Sequence, residues 1–155
     1  MARRTFPAPR ENAPLRHLHD TARALGLRRL PSSALELADA AARGLPSKAL
    51  SSLSTRLGWS RADVVKGLGI PPRTAARRVT SRKPLSSPES ERALRLARVW
   101  ARAAHVLESE ESARRWLVEP NAALAGRKPL ALLSTDIGTE LVLTELGKID
   151  YGFFA

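Results

Sequence analysis

Eight Lys/Arg and a single acid, Asp63, fall between residues 56 and 83. Fixed positive charge at this density suits a polyanion, because each cation set against a phosphate releases condensed counterions. Arg73, Thr74, Arg77 and Arg78 lie in one short stretch, followed by Ser81, Arg82 and Lys83. Arg can read guanine through two parallel hydrogen bonds, while Thr and Ser reach phosphates or base edges. The first four are the expected base-reading residues. Arg82 and Lys83, with Ser81 beside them, are the expected phosphate contacts. The elements that must position them are equally plain. Ser60 caps a short helix with Asp63 at the third position, and Val64, Val65 and Leu68 form its apolar face. Gly69 breaks that helix, Ile70-Pro71-Pro72 makes a rigid turn, and a second helix runs from about Pro72 to Thr80 with Ala75, Ala76 and Val79 on one face. This is a helix-turn-helix spacing. A solvated basic face on an ordinary bundle helix has a similar pattern, and the local charge favours nucleic acid over it.

Other chemistry is sparse. The chain has no Cys, so no disulfide, thiolate metal site or catalytic thiol is available. His17, His19 and His105 are too few and scattered for a zinc site. No Gly-rich phosphate loop, G-x-S-x-G or H-E-x-x-H occurs. Most acids fall in first turns of helices, where the helix dipole accounts for them. No enzyme, cofactor or metal is expected. The second informative feature is the C-terminal end: three of the seven aromatics fall in the last five residues. Such a segment is buried either against its own domain, with Ile149 and Tyr151 folding back on Trp116, or against a partner.

The flanking elements read as helices. Leu15, Leu18, Ala22 and Leu25 recur at helical spacing after a Pro- and Arg-rich arm over 1–14, and Gly26 stops them. Ser33 with Glu36 predicts a capping box for a helix to about residue 43. Leu50, Leu53 and Leu57 mark the next. Ser86-Ser87-Pro88-Glu89 opens a long helix reaching about Leu107, with one stripe of Leu96, Trp100, Ala103 and Leu107 and another of Leu94, Ala97, Ala101 and Ala104. Ser109 caps a helix burying Ala113, Trp116 and Leu117. Residues 118–128 form a loop, Pro129 opens a short helix that Gly138 punctuates, and a last helix carries Leu141, Val142, Leu143 and Leu146. No sustained alternation predicts a strand, so the fold class is all-α.

At 155 residues the chain holds one domain or two small ones. Residues 1–106 carry 21 Lys/Arg and 7 Asp/Glu, whereas 107–155 carry 5 and 8. That change of sign predicts parts with different partners. No apolar run approaches the roughly 20 residues of a membrane span, and the N-terminus lacks the apolar core of a secretory signal. A cytoplasmic protein without membrane contact is expected.

These residues resemble the Xre/MbcA/ParS antitoxins of bacterial type II toxin–antitoxin systems, over roughly residues 46–155. The helix-turn-helix with Leu85-Ser86-Ser87-Pro88-Glu89-Ser90-Glu91-Arg92 resembles the first half. The second half is carried by Ala113-Arg114-Arg115-Trp116-Leu117, Pro120-Asn121-Ala122-Ala123-Leu124, Gly126-Arg127-Lys128-Pro129-Leu130, Gly138, and Gly147-Lys148-Ile149-Asp150-Tyr151-Gly152. One departure is Ala125-Gly126, where family members often have two glycines. The resemblance implies an Xre-like helix-turn-helix bundle that binds promoter DNA and represses its own operon. It also implies a small α-helical domain that neutralises a RES-domain toxin, an NAD-consuming enzyme, by closing its active-site entrance. Tyr151, Phe153, Phe154 and Ala155 are then the expected toxin contacts, with Ile149 supporting them, while Trp100 and Trp116 belong to the core. The expected parts are a 1–45 extension, a 46–107 DNA-binding domain including the long helix, and a 108–155 toxin-binding domain, acting as a homodimer within the toxin–antitoxin complex. The alternative is a stand-alone transcriptional regulator whose C-terminal part dimerises or binds a ligand.

Overall fold

The computed structural model describes residues 13–152. Phe153, Phe154 and Ala155, expected as toxin contacts, and residues 1–12 of the expected arm lie outside the described residues. The described helices are α1 (Ala13–Ala24), α2 (Ala34–Arg43), α3 (Ala49–Leu57), α4 (Arg61–Gly67), α5 (Pro72–Thr80), α6 (Ser87–Val106), α7 (Glu110–Val118), α8 (Pro129–Leu132) and α9 (Asp136–Asp150). A 3₁₀ turn spans Ala122–Leu124. Among the described residues there is no strand, only an isolated antiparallel bridge between Asn121 and Arg127. Among the described residues the chain is all-α.

The long helix α6 organises the rest. Its start is fixed locally: Glu89 N donates to Ser86 Oγ at 3.3 Å, Ser86 N donates back to the Glu89 carboxylate at 2.7 Å, and Pro88 sits in the first turn. Both apolar stripes are used. Leu94, Leu96, Ala97, Val99, Trp100, Ala101 and Ala103 are buried, and α1, α2, α3, α7 and α9 all pack on this helix. One cluster of buried side chains runs without a break from Leu25 through Leu45, Leu53, Val65, Trp100 and Leu117 to Val142 and Leu146. No gap in this cluster falls at residue 45 or 107. Each fully buried leucine removes apolar area worth about 1.5–3 kcal/mol.

Two turns cross to lock the first six helices. Leu85 N donates to Leu45 O at 2.8 Å, and Leu45 N donates to the buried Ser90 Oγ at 2.8 Å. Gly44 allows the crossing: its φ is 107°, and a Cβ there would stand 2.5 Å from Leu85 O.

Several local expectations shift. Ser33 caps α2 by accepting from Glu36 N, but the Glu36 carboxylate reaches back to Ser32 N and Ser32 Oγ, both at 2.8 Å, so the reciprocal bond closes one residue earlier. Ala76 is exposed rather than inward-facing, and Trp116 is only half-buried. Gly138 is not punctuation. It is buried in the first turn of α9, where a Cβ would lie 2.0 Å from Leu132 O. The loop before α8 is tied by Asn121, whose side chain accepts from Ala123 N and whose N–H donates to Arg127 O. That closure puts Ala125 at φ 56°, ahead of Gly126 at φ 73°.

Two stability changes of opposite sign are expected. Gly138→Ala forces a methyl into backbone and should destabilise by about 1–3 kcal/mol. Ala125→Gly relieves a left-handed residue worth about 1–2 kcal/mol, partly offset by the unfolded-state freedom of glycine. Thermal melting by circular dichroism should show a lower Tm for the first and an equal or higher Tm for the second. A wild-type Tm in Gly138→Ala would overturn the close approach of α9 to α8.

Candidate functional site

Helix α4 begins where Ser60 Oγ accepts from Asp63 N at 3.1 Å. It ends at Leu68, whose N donates to Val64 O, and Gly69 at φ 63° turns the chain away. Ile70 N donates to Val65 O at 3.1 Å, and extended Pro71 starts α5. Val64, Val65, Leu68, Ile70 and Ala75 are buried together and fix the angle between the two helices.

That packing decides which side of α5 meets solvent. Arg73, Ala76, Arg77 and Thr80 are exposed, at the i, i+3, i+4 and i+7 positions of one face. Arg73 and Arg77 enter no ion pair among the described residues, so both guanidiniums are free for a ligand. Ser81, Arg82 and Lys83 are exposed just beyond the helix. The structure thus brings together five of the seven expected DNA-binding residues.

Thr74 and Arg78 are corrections. Thr74 is half-buried, off the exposed face and beside the buried Ala75. Arg78 is 21% exposed, its Nε lies 2.7 Å from a Glu89 carboxylate oxygen in a charge contact rather than an aligned hydrogen bond, and its terminal nitrogens donate to Glu89 at 3.3 Å and to Pro84 O at 3.0 Å. Arg78 therefore holds α5 to α6 and does not stand free as Arg73 and Arg77 do. Thr80 was missed in the sequence, although its place seven residues after Arg73 was a usable signal.

The C-terminal end of α9 forms a second surface. Ile149 is half-buried. Tyr151 is 76% exposed and does not fold back on Trp116. Ile137 is 78% exposed, and Leu141 is 52% exposed. With the exposed Thr144 and Lys148 between them, these residues share one face of α9. Its end is held by Arg102, which donates to Asp150 Oδ2 at 2.8 Å and lies 3.0 Å from His17 Nε2. The His17 and His105 rings meet edge to face with centroids 4.6 Å apart. Burial, then the nearby His105 and Arg102, hold the His17 pKa below its ordinary value, while Asp20 and Asp150 oppose that shift.

Among the described residues no cluster of His, Asp and Glu could hold a metal ion, and no helix is long and apolar enough to cross a membrane. Residues 36–98 match the family model for the antitoxin Xre-like helix-turn-helix domain, and residues 102–152 match the model for the antitoxin Xre/MbcA/ParS C-terminal toxin-binding domain. Three curated relatives carry the name Antitoxin Xre. The one from Yersinia enterocolitica is 29% identical over 120 residues, covering 77% of this chain and 81% of the relative. The one from Pseudomonas putida is 36% identical over 84 residues, 54% of this chain and 53% of the relative. The one from Photorhabdus laumondii is 26% identical over 110 residues, 70% and 74% of the two chains. These domains and relatives are antitoxins and helix-turn-helix proteins, not enzymes.

The His17 cluster generates a pH prediction. A histidine with a lowered folded pKa is neutral in both states above pH 6.5. As pH falls through that value the unfolded chain takes up a proton that the folded chain refuses, so stability declines. The Tm should drop between pH 7.5 and 5.5, and His17→Gln should drop less over the same range. Identical pH dependence of the two proteins would remove His17 as the cause.

Proposed function

Since the chain belongs to the Xre-type antitoxin family, we propose that it represses its own operon through α5 and neutralises a RES-domain, NAD-consuming toxin through α9 and the residues after it. It does so as a homodimer within a type II toxin–antitoxin complex in the cytoplasm. The observation that carries this reading is the exposed apolar line of Ile137, Leu141 and Tyr151, within the segment that matches the toxin-binding model. Aligned apolar residues left in water mark interaction surfaces, and aromatic side chains are common anchors there. Tyr151 leads directly to Phe153, Phe154 and Ala155 in sequence. Steric closure of the pocket entrance is sufficient for inhibition.

On the DNA side, Arg73 and Arg77 stand free on the face of α5, with a span and charge suited to a major groove. Arg82 and Lys83 follow as phosphate contacts. Ala76 between the two arginines offers a small apolar surface for a thymine methyl.

Co-expression with the adjacent toxin gene tests the first half. Ile137→Glu, Tyr151→Ala and removal of residues 151–155 (which spares the Asp150 pair with Arg102) should each lose growth rescue and restore NAD consumption. The Tm should stay close to wild type, because the substituted side chains are largely exposed. Full rescue by all three would remove α9 from toxin binding.

The second half is tested by contrasting two neighbouring arginines. Arg77→Ala should weaken promoter binding by about 1–3 kcal/mol and relax sequence preference, without lowering the Tm. Arg78→Ala should lower the Tm, because it leaves the Glu89 carboxylate without its cation. Equal promoter affinity of wild type and an Arg73→Ala/Arg77→Ala double variant would overturn the role of α5.

A further inference from the structure

Where the crossing turns meet the end of α5, the structure contains a cleft of about 660 Å³ lined by Arg28, Ser47, Lys48, Ser51, Arg82 and the backbone around Gly44 and Pro84. Three cations from distant parts of the chain converge here, and among the described residues no acid lines the cleft. Arg28, Lys48 and Arg82 are exposed, and none enters an ion pair among the described residues. Like charges gathered without a counter-ion repel one another, and an anion between them reverses the sign of that energy.

Two further features favour an oxyanion. Helix α3 starts at the cleft, and its N-cap Lys48 provides no side-chain acceptor, so the positive end of the helix dipole is uncompensated. Ser47, only 9% exposed, lines the same cleft and takes part in no side-chain hydrogen bond among the described residues. Its hydroxyl is therefore available to a phosphate oxygen in the cleft.

The cleft is also built and fixed rather than incidental. The Leu85–Leu45 and Leu45–Ser90 hydrogen bonds hold its two walls together. Arg82 adopts φ 52°, a conformation costly for a residue with a Cβ, and this turns the chain out of α5 towards α6. Val79 and Arg82 both line the cleft, which places it at the C-terminal end of α5.

We propose that this cleft takes a phosphate of the DNA backbone, held by Arg28, Ser47, Lys48 and Arg82 beside the groove that α5 enters. The proposal rests on the reading of α5 as the DNA-contacting helix. It extends the contact surface to the α1–α2 connection and the start of α3, which lie outside the α4–α5 pair. A backbone phosphate carries no sequence information, so these residues add affinity and register but not base preference.

The test is fluorescence anisotropy with the full chain over a range of salt. One labelled duplex carries the sequence upstream of its own reading frame, and another is a scrambled duplex of equal length. Arg28→Ala and Lys48→Ala should each weaken both duplexes by the same factor and lower the slope of log K against log salt by about 0.9. Lys48→Arg should keep the wild-type slope. Ser47→Ala should weaken both duplexes while leaving the slope unchanged. If Arg28→Ala and Lys48→Ala keep wild-type affinity and slope while Arg77→Ala weakens promoter binding, the cleft proposal fails and the reading of α5 stands. If Arg77→Ala has no effect while the cleft variants weaken both duplexes, the reading of α5 fails and the phosphate contact stands. Inorganic phosphate is the second probe. Saturable shifts of the Ser47 and Lys48 amides with phosphate, alongside DNA binding unaffected by the cleft variants, would assign the site to a free anion and overturn the DNA assignment.

Discussion

Helix α6 has to hide surface on more than one side, and the rest of the molecule is arranged to satisfy that demand. An isolated helix with two apolar stripes would expose one of them whichever way it packed. Here α1, α2 and α3 cover part of it, and α7 and α9 cover the remainder. Elements from both ends of the chain therefore share one core. The change of charge sign near residue 107 is written on the surface of this body and not in its packing. Cations crowd the α5 side, while the α9 side exposes apolar and acidic residues.

Glu89 transmits the placement of α6 to the helix-turn-helix. Its carboxylate accepts the Ser86 N–H that opens α6 and also binds Arg78 of α5. A carboxylate this deeply buried is tolerable only while it is paired. One side of α5 is thereby fastened to α6, and the opposite side, with Arg73 and Arg77, is left in water. The crossing of the Gly44–Leu45 and Pro84–Leu85 turns works in the same direction. It places the N-terminal end of α3 beside the C-terminal end of α5, where neither sequence neighbourhood alone would put it.

The two exposed surfaces differ in kind as their proposed partners do. A regular polyanion is met by charges on a rigid helix, whose spacing is set by the helical repeat. The exposed face of α9 offers apolar side chains, which suit a protein partner. Arg102 links this end to the rest, since it binds Asp150 while lying against His17 of α1. The end of α9 is thus positioned by the first described helix as well as by its own domain.

The residues around each helix start could be read from the sequence, because capping is a local transaction. Ser60 with Asp63, Ser86 with Pro88 and Glu89, Ser109, and Pro129 each act over three or four residues, and each starts a helix as expected. The basic segment and the turn at Gly69-Ile70-Pro71 were legible for the same reason. What the sequence left open was the rotation of each helix about its own axis. Thr74 and Arg78 looked equivalent to Arg73 and Arg77 until Glu89, eleven residues beyond Arg78, took Arg78 for α6. Leu141 and Val142 looked alike until α9 docked with Val142 and Leu146 inward. Gly138 looked like a break until Leu132 O filled the space of its missing Cβ. Arg28, Lys48 and Arg82 are separated by twenty and thirty-four residues in the chain. They form one cleft only because two turns cross. Local hydrogen bonds fix where helices begin, but contacts between residues far apart in sequence decide which face each helix shows to water.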